Sequence, residues 1–371
     1  MFDVVDFQRG LTYSKNDEVD FSENIVLRSN NVDLKTNKLD FTELRYINPK
    51  IVIPENKKVA KGSLLICTAN GSKSHLGKVA LIDDDYNYAF GGFMGLIKPK
   101  KNLNSVFLFY LMTSDAYKKF IGTLSDGANI NNLKFGDLGN FEIPLPPLSE
   151  QQSIVSILDE AFAAIAKSKA NAEQNIKNAK ELFESYLQNI FRNKNKNWEE
   201  KRFEDCLDKI TYTNKIQKQD FLKDGKYPII SQEQDFINGY WNNSNDLFQV
   251  KRPVVIFGDH TQILKFIDFN FVLGADGVKI LQPTKEIDTK YFYYYLRSAK
   301  LRTLGYARHY KLLKEIMVSY PKSIQEQKSI VKKLDDLSKE AKKLEDIYKN
   351  KRTELEELKK SILQKAFSGE L

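Results

Sequence analysis

The chain contains one segment twice, and this repeat limits the fold more than any other feature of the sequence. The segment SEQQSIVSILDE, which begins at Ser149, returns as QEQKSIVKKLDD, which begins 176 positions later at Gln325. The match continues without a gap as far as Phe191 and Phe367. Loops accumulate insertions, so a gap-free match of this length predicts one continuous element in each half. The chain is therefore expected to be a duplication.

Both copies of the segment have the residue spacing of a long helix. Alternate steps of four and three from Ile330 to Ile362 meet apolar residues except at Lys351. The same steps from Ile154 meet two polar residues, Ser168 among them. A mean spacing of 3.5 residues over several heptads is typical of a coiled coil. We expect two helices of roughly 65 to 70 Å each, at 1.5 Å per residue, that pack on each other.

The segments ahead of the two helices also repeat, but more loosely. The strand-like run GSLLICTA (62–69) corresponds to RPVVIFGD (252–259), and the helical pattern of 105–120 corresponds to that of 290–302. The expected fold class is α+β, with two mixed α/β domains and two long helices. The predicted boundaries are 1–148 for the first domain, 149–192 for the first helix, 193–321 for the second domain and 322–371 for the second helix. Because the domains have diverged and the helices have not, we expect the domains to contact different things.

Composition and charge narrow the classes of function. The 371 residues carry a formal charge of +8, and the pI is near 9.0, which suits a polyanionic partner without requiring one. The two cysteines, Cys67 and Cys206, give neither a disulfide framework nor a zinc site and favour a reducing compartment. The sequence shows neither the pattern of a signal peptide nor that of a membrane helix, so a cytoplasmic location is expected.

Two polar loops in each half carry side chains that can hydrogen-bond DNA. The strand-end loops, NGSKSHLGK (70–78) and DHTQILK (259–265), follow the strand-like runs, and the pre-helix loops, SDGANINNLK (125–134) and LGYARHYKLLK (304–314), precede the long helices. Such groups bind base edges and phosphates. For any single residue, an ordinary surface loop remains the alternative. The candidate contact residues are Ser72, Lys73, Ser74, His75, Lys78, Asn129, Asn131, Asn132 and Lys134 in the first half, and His260, Thr261, Gln262, Lys265, Arg308, His309, Tyr310 and Lys311 in the second.

The sequence contains no recognisable catalytic pattern. It has no glycine-rich cofactor loop after a strand, no nucleophile elbow and no tetrad of the kind found in amino-methyltransferases. Neither His75 nor His260 has a second metal ligand at a suitable spacing, and the acidic run 83–85 lacks the rest of a nuclease pattern. We therefore expect no catalytic residue, no cofactor and no metal, while an enzyme with an unrecognised site remains an alternative.

Three motifs make the chain resemble the specificity subunits of type I restriction–modification systems. These motifs are EIPLPPLSEQQSIVSILD (142–159), SIQEQKSIVKKLDDL (323–337) and LKKSILQKAFSGEL (358–371), and the resemblance covers essentially the whole chain. It implies two target-recognition domains, each followed by a helical spacer, with the spacers paired as an antiparallel coiled coil. The first domain lacks the lead-in that 195–206 provides for the second, which suggests a trimmed or rearranged reading frame.

The resemblance also implies a function and a set of partners. It implies a non-catalytic subunit that binds double-stranded DNA and docks two methyltransferase subunits, which recruit restriction and translocase subunits. Two related domains on antiparallel helices would meet two half-sites about one DNA turn apart. Because the two domains differ, the target can be asymmetric, and the helix pair would set the gap between its halves. The alternative from another class is a coiled-coil scaffold that never reads sequence.

Overall fold

The chain folds into two compact units that each contain an α/β domain and part of both long helices. The computed structural model describes residues 1–125, 132–194, 196–275, 277–305 and 307–370. The first unit comprises Met1–Ala172 and Asn350–Leu371, and the second comprises Glu173–Lys349. The domain boundaries that the sequence suggests, after 148, 192 and 321, stay predictions.

The first unit contains two β-sheets. Its strands are β1 (Val5–Arg9), β2 (Glu18–Val19), β3 (Ile25–Leu27), β4 (Arg45–Ile47), β5 (Leu64–Cys67), β6 (Val79–Leu81), β7 (Ala89–Phe90) and β8 (Met94–Pro99). One sheet has the order β1-β8-β5-β6 and is antiparallel throughout. The other has the order β2-β4-β3-β7, with β3 and β7 parallel. All four residues of β5 are buried, because this apolar strand lies inside its sheet.

Three helices of the first unit precede the first long helix. They are α1 (Ser105–Leu111), α2 (Asp115–Ser125) and α3 (Phe135–Gly139), and the long helix is α4 (Leu148–Arg192). The side chain of Asn104 caps α1 by accepting hydrogen bonds from the backbone N–H groups of Val106 and Phe107, at 2.9 and 3.0 Å. The core of this domain forms where α1 packs on the sheet, with Phe107 buried against Leu64.

The second unit repeats the central part of the first. Its strands are β9 (Trp198–Arg202), β10 (Lys215–Ile216), β11 (Tyr227–Ile230), β12 (Gly239–Trp241), β13 (Leu247–Phe248), β14 (Val254–Gly258), β15 (Leu264–Ile267), β16 (Phe271–Gly274), β17 (Val278–Leu281) and β18 (Met317–Pro321). The antiparallel sheet β15-β14-β17 corresponds to β6-β5-β8 of the first unit. A second sheet has the order β10-β16-β11-β12, with β13 also on β16, and β18 pairs with β9.

The helices of the second unit also follow the repeat. They are α5 (Thr289–Ser298), α6 (Tyr310–Lys314) and the long helix α7 (Ile324–Ser368). Asp288 caps α5 by accepting hydrogen bonds from the N–H groups of Lys290 and Tyr291, at 2.9 and 3.0 Å, as Asn104 caps α1. Short 3₁₀-helices lie at Lys15–Asp17, Ser29–Asn31, Glu55–Lys57, Lys73–His75, Phe203–Cys206, Lys218–Asp220 and Ser244–Asp246.

The two long helices run antiparallel within each unit. In the first unit, Leu158 of α4 packs on Leu363 of α7, and further along α4 Lys169 forms an ion pair with Glu356. Residue numbers thus rise on one helix as they fall on the other. In the second unit, the ammonium of Lys180 lies 3.8 Å from the carboxylate of Glu345, which continues the same order. The predicted antiparallel helix pair is confirmed.

Towards the end of α4, the buried residues no longer follow the predicted steps of four and three. After Ala179 the buried residues follow at steps of four, because here α4 packs on the α/β domain of the second unit as well as on α7. The ring of Phe191, for example, meets the ring of Tyr291 edge to face at 5.4 Å. The residues buried after Ala179 are Phe183, Leu187 and Phe191. The apolar residues at the predicted steps that are exposed instead are Leu182, Tyr186, Leu344 and Leu358.

A buried glutamine joins the start of α4 to the first domain. The Gln151 side chain is fully buried, and its Oε1 accepts a hydrogen bond from the N–H of Asn104 at 2.7 Å. Its Nε2 donates to the carbonyl oxygens of Asn102 and Pro146, at 3.0 and 2.8 Å. The three bonds link the helix to the loop that begins α1 and to its own lead-in.

Gln327 makes the same joint at the start of α7. Its buried Oε1 accepts from the N–H of Asp288 at 2.7 Å, and its Nε2 donates to the carbonyls of Glu286 and Pro321, at 2.9 and 2.7 Å. Gln151 and Gln327 occupy equivalent places in the repeated segment. The repeated Glu-Gln sequence therefore has a physical cause, since each long helix is fixed to its domain by the same amide.

A second contact fastens each long helix about two turns further along. The Tyr110 hydroxyl donates to the carboxylate of Asp159, and the Tyr294 hydroxyl donates to that of Asp335 at 2.7 Å. Lys290 also pairs with Asp335 at 2.8 Å. Burial, and then the hydrogen bond to the carboxylate, raise the pKa of both tyrosines. The phenols therefore stay protonated and act as donors.

Gln327→Ala should destabilise the second unit, because it leaves the partly buried N–H of Asp288 and two carbonyl oxygens without their partner. We expect a loss of about 3 kcal/mol in the free energy of unfolding, given about 1–3 kcal/mol for each buried group left unsatisfied. Both tryptophans, Trp198 and Trp241, lie in this unit, so their fluorescence during a urea titration reports its unfolding. The matched control is Gln325→Ala at an exposed position of α7, for which we expect a change within about 0.5 kcal/mol. Equal losses in the two variants would contradict the joint.

Candidate nucleic-acid interface

The last residues of the pre-helix loop of the first half lie beside the end of β5, where the strand-end loop begins. The N–H of Leu133 donates to the carbonyl oxygen of Thr68 at 2.7 Å, and Ala69 pairs with Asn132 as an isolated bridge. The two residues just before the strand-end loop thus pair with the last residues of the pre-helix loop. The exposed candidates here are Ser72, Lys73, Ser74, Asn132 and Lys134. Asn129 and Asn131 lie outside the described residues.

Hydrogen bonds within the strand-end loop leave its serines on the surface. Asn70 organises the loop, because its Oδ1 accepts from the N–H of Ser72 and its Nδ2 donates to the hydroxyl of Ser29, both at 2.9 Å. The hydroxyls of Ser72 and Ser74 lie 2.9 Å apart. His75 is half-buried, and burial followed by the nearby charge of Lys78 lowers its pKa. The imidazole is therefore neutral at pH 7, which makes it a hydrogen-bonding group and not a cation.

Lys78 points into the first domain. Its side chain is buried, and its Nζ donates to the carbonyl oxygen of Val32 at 2.7 Å. Burial lowers the pKa of this ammonium. The bond ties the strand-end loop to the residues that follow the 3₁₀-helix Ser29–Asn31. This placement supports a structural role for Lys78, because an ammonium held inside the domain does not reach a phosphate.

Lys265 has the same role in the second domain. Its buried Nζ donates to the carbonyl oxygens of Asp235 and Phe236 and, at 3.0 Å, to Oδ1 of Asn238. Burial lowers its pKa to about 8. A lysine at the end of each strand-end loop thus pins a neighbouring loop from inside. The sequence could not distinguish this role from DNA contact, because its carbonyl partners are distant in the chain.

The pre-helix loop of the second half is held by Asp259, at the end of β14. The N–H of His309 donates to the Asp259 carbonyl oxygen at 2.7 Å, and the N–H of Tyr310 donates to its carboxylate at 2.7 Å. Nε2 of His309 accepts from the N–H of Leu304 at 3.0 Å, so the proton lies on Nδ1, 3.0 Å from the same Asp259 carbonyl. His309 is buried, and both of its ring nitrogens are engaged in hydrogen bonds that shape this loop.

Gln232, which the sequence did not single out, holds the strand-end loop of the second half. Its Oε1 accepts from the N–H of His260 at 3.1 Å, and its carbonyl oxygen accepts from the Thr261 hydroxyl at 2.6 Å. Gln262 adopts a left-handed backbone conformation, with φ of 59°, and its side chain donates to the Arg302 carbonyl at 3.4 Å. Gln232 lies 28 residues before His260, and no sequence pattern links it to this loop.

Arg308 and Lys311 are exposed beside these loops. Glu315 is a nearby carboxylate in the sequence, but among the described residues Arg308 takes part in no ion pair. Tyr310 differs from its neighbours because it is half-buried and meets the ring of Phe203 edge to face at 6.0 Å. The exposed cations can therefore reach a ligand, whereas Tyr310 belongs mainly to the packing of the domain.

Other kinds of site find little support in the part of the chain that the structure describes. No group of three or more histidine, cysteine, aspartate or glutamate residues there is arranged to hold a metal ion. Within the same residues, no helix is both long and apolar enough to cross a membrane. Cys67 and Cys206 are buried, and burial raises the pKa of each thiol to about 11. These thiols are therefore protonated and poor nucleophiles.

Comparison with known proteins gives consistent matches. The family model described as type I restriction modification DNA specificity domain matches residues 2–178 and 195–357. The EcoKI specificity subunit of Escherichia coli K12 is 36% identical over 169 residues, which are 45% of this chain and 36% of that protein. The StySPI specificity subunit of Salmonella potsdam is 33% identical over the same shares. The chain thus matches little more than a third of the length of these two relatives. A putative MjaX specificity subunit of Methanocaldococcus jannaschii is 24% identical over 91% of this chain and 85% of that protein.

Two solved structures share the fold. A chain from a structure on the assembly and conformational transition of a type I R-M system aligns with a TM-score of 0.78 at 19% identity, over 99% of this chain and 98% of its own. The HsdS subunit of Thermoanaerobacter tengcongensis aligns with a TM-score of 0.60 at 18% identity, over 96% and 94%. These likenesses concern the fold, and they confirm the predicted α+β class with two domains and two long helices.

Lys265→Met should destabilise the second unit, because the carbonyls of Asp235 and Phe236 lose their donor. We expect a loss of about 1–3 kcal/mol at pH 7 by tryptophan fluorescence in urea. The folded pKa of Lys265, about 8, lies below its ordinary value of 10.5. Burying its charge therefore costs stability below pH 8, and the cost disappears as the pH rises from 8 to 10.5, so the wild type should gain stability relative to the variant in this window. The exposed control, Lys223→Met, should show neither effect, and a flat difference between wild type and Lys265→Met would contradict the pKa.

Proposed function

The chain belongs to the family of type I restriction modification DNA specificity domains, and from this we propose that it reads a double-stranded DNA target within a type I complex. The observation that carries the proposal is the paired loops at the end of β5 and again at the end of β14. Each domain presents exposed polar and basic groups at such a place. The first recognition domain is proposed to span 1–148 and the second 193–321.

The charge of the loops supports a polyanionic ligand. Exposed cations flank the polar groups in both domains, with Lys73 and Lys134 in the first and Arg308 and Lys311 in the second. Cations of this kind hold phosphates, while hydroxyl and amide groups read base edges. Because the two domains present different side chains, the two halves of the target are expected to differ.

The candidate residues that the structure describes fall into two groups in this proposal. Those that contact DNA are Ser72, Lys73, Ser74, His75, Asn132, Lys134, His260, Thr261, Gln262, Arg308 and Lys311. Those that shape the loops from inside are Lys78, Lys265, His309 and Tyr310. A bound duplex would thus meet exposed groups on loops whose form is set by buried ones, so that few side chains need to be ordered on binding.

We further propose that the chain performs no chemistry and docks two methyltransferase subunits, through which restriction subunits join. The repeat supports two similar docking places on the long helices, since the equivalent residues Leu182 and Leu358 are 58% and 47% exposed. Apolar side chains at matching positions suit two copies of one partner. A scaffold that never reads sequence is not favoured by the family match, but it would share these helices.

Exchanging residues 198–321 for the second domain of another family member should change one half of the target only. The segment keeps both β9 and β18 and ends before Gln327, so the joint to α7 can form again. Methylome sequencing of cells that carry each version, with the cognate methyltransferase, gives both target halves. A change in both halves would contradict separate reading. The absence of any sequence-specific methylation with the original chain would favour the scaffold.

Arg308→Ala should weaken specific binding by about 1–3 kcal/mol and relax the target at one position if the guanidinium holds a base edge. The control is Arg308→Lys, which keeps the charge but removes the planar fork. If Arg308 holds only a phosphate, the lysine variant should bind like the wild type, while the alanine variant should bind all sequences more weakly and with a smaller salt dependence. Gel shifts on specific and scrambled duplexes at two salt concentrations separate these results. Unchanged binding by both variants would remove Arg308 from the interface.

A further inference from the structure

Phe93 is an exposed aromatic residue that lies outside the four polar loops. It lies in the turn Gly91–Met94, which connects β7 to β8, and its side chain is 74% exposed. Single exposed apolar residues are common on protein surfaces and need no special cause. Three further observations distinguish Phe93, namely the rigidity of its turn, its basic surroundings and its replacement in the second domain.

The backbone of Phe93 is held firmly next to the strand-end loop. Its carbonyl oxygen accepts hydrogen bonds from the N–H groups of Thr68 and Ala69, at 3.0 and 3.1 Å, and from the Thr68 hydroxyl at 3.0 Å. The N–H of Met94 closes the turn by donating to the Gly91 carbonyl at 2.8 Å. Thr68 and Ala69 also hold the end of the pre-helix loop, so the ring projects from the place where the two polar loops meet. A ring on a fixed backbone loses little entropy when it is covered.

Two grooves that each contain more cations than carboxylates border the Phe93 turn. The larger groove, of about 830 Å³, is lined by the turn together with Lys15, Arg28 and Arg45, and also by Glu43 and by Glu18, which pairs with Arg45 at 3.4 Å. A smaller groove of about 90 Å³, which Gly92 and Met94 line, also contains Arg9, Asn132 and Lys134. An apolar ring between two sets of cations matches a duplex, in which bases lie between two phosphate backbones.

The second domain has no ring at the equivalent place. Phe93 and Gly277 each precede the strand that pairs with the central strand, and the Gly277 carbonyl accepts from the N–H of Asp259 at 2.6 Å. Gly277 has a φ of 70°, and a Cβ there would lie 2.5 Å from Oε1 of Gln232 and 2.8 Å from the His260 ring. A side chain at this position would therefore be strained and crowded, so the ring is specific to the first domain.

We propose that Phe93 packs on the 5-methyl group of a thymine in the half-site that the first domain reads. The thymine methyl is the apolar group that base pairs present in the major groove, and phenylalanine is among the side chains that contact it. The flanking cations hold the phosphates, while the ring selects one base. This inference rests on the proposed function, and it makes Phe93 a specificity-determining residue of one half-site.

Selection from a random duplex library tests the assignment. The full chain, with and without its methyltransferase subunit, is compared with Phe93→Ala and with Phe21→Ala. Phe21 is the control because it is 81% exposed in the same domain but lies between Asp20 and Glu23, which repel phosphates. We expect Phe93→Ala to lose the preference for thymine at one position of one half-site, by about tenfold, and to keep the other half unchanged. Phe21→Ala should select the wild-type sequence.

Removal of one methyl group from the DNA then tests the contact directly. Replacing the selected thymine with uracil removes the methyl group alone, so it should weaken wild-type binding several-fold and leave Phe93→Ala unaffected. Melting curves of both variants should match the wild type, because both rings are exposed. An unchanged thymine preference in Phe93→Ala, or uniform weakening on all sequences, would overturn the role of Phe93 but not the proposed function. A wild-type chain that selects no sequence at all would overturn the proposed function with it.

Discussion

The amide groups of Gln151 and Gln327 fix each long helix to its recognition domain, and the arrangement of each unit depends on these two joints. A buried amide that lost its partners would cost more free energy than the bonds contribute when they form, so the joint tolerates few other geometries. Each glutamine satisfies its oxygen once and its nitrogen twice, at 2.7 to 3.0 Å. The direction in which α4 or α7 leaves its domain is thereby set. The tyrosine–aspartate contacts further along hold the same direction.

A second pair of buried groups gives the candidate interface its form. Lys78 and Lys265 are hydrogen-bonded to carbonyl oxygens inside their domains, and Asp259 holds the loop that contains His309. These residues look like ligand-binding groups in the sequence, yet they serve the loops that carry the exposed ones. Their burial leaves the exposed serine, asparagine, threonine and arginine side chains to make contacts. In the proposed function, buried residues shape the loops of both domains and exposed residues contact the DNA.

The sequence predicted the duplication, the two long helices and the polar loops, because periodicity and self-similarity are visible along the chain. It did not predict that the buried stripe of α4 turns at Phe183, since periodicity records which residues are apolar but not which surface they meet. It also could not place Lys78 or Lys265, because their carbonyl partners lie about 30 to 46 residues away. Gln232 and Phe93 were missed for a related reason. Each matters through neighbours that only the fold brings near.

All six hydrogen bonds of the glutamine joints go to main-chain atoms. Every amino acid offers the same N–H and carbonyl groups, so mutations in a domain leave the joint intact as long as its loop keeps its path. After recombination, a foreign domain would therefore offer the same main-chain groups to the glutamine, even when almost none of its residues match. New recognition surfaces can then be acquired as whole modules, while the helices that carry them stay the same. Such exchange would leave divergent domains beside similar helices, and this is the contrast that the sequence shows.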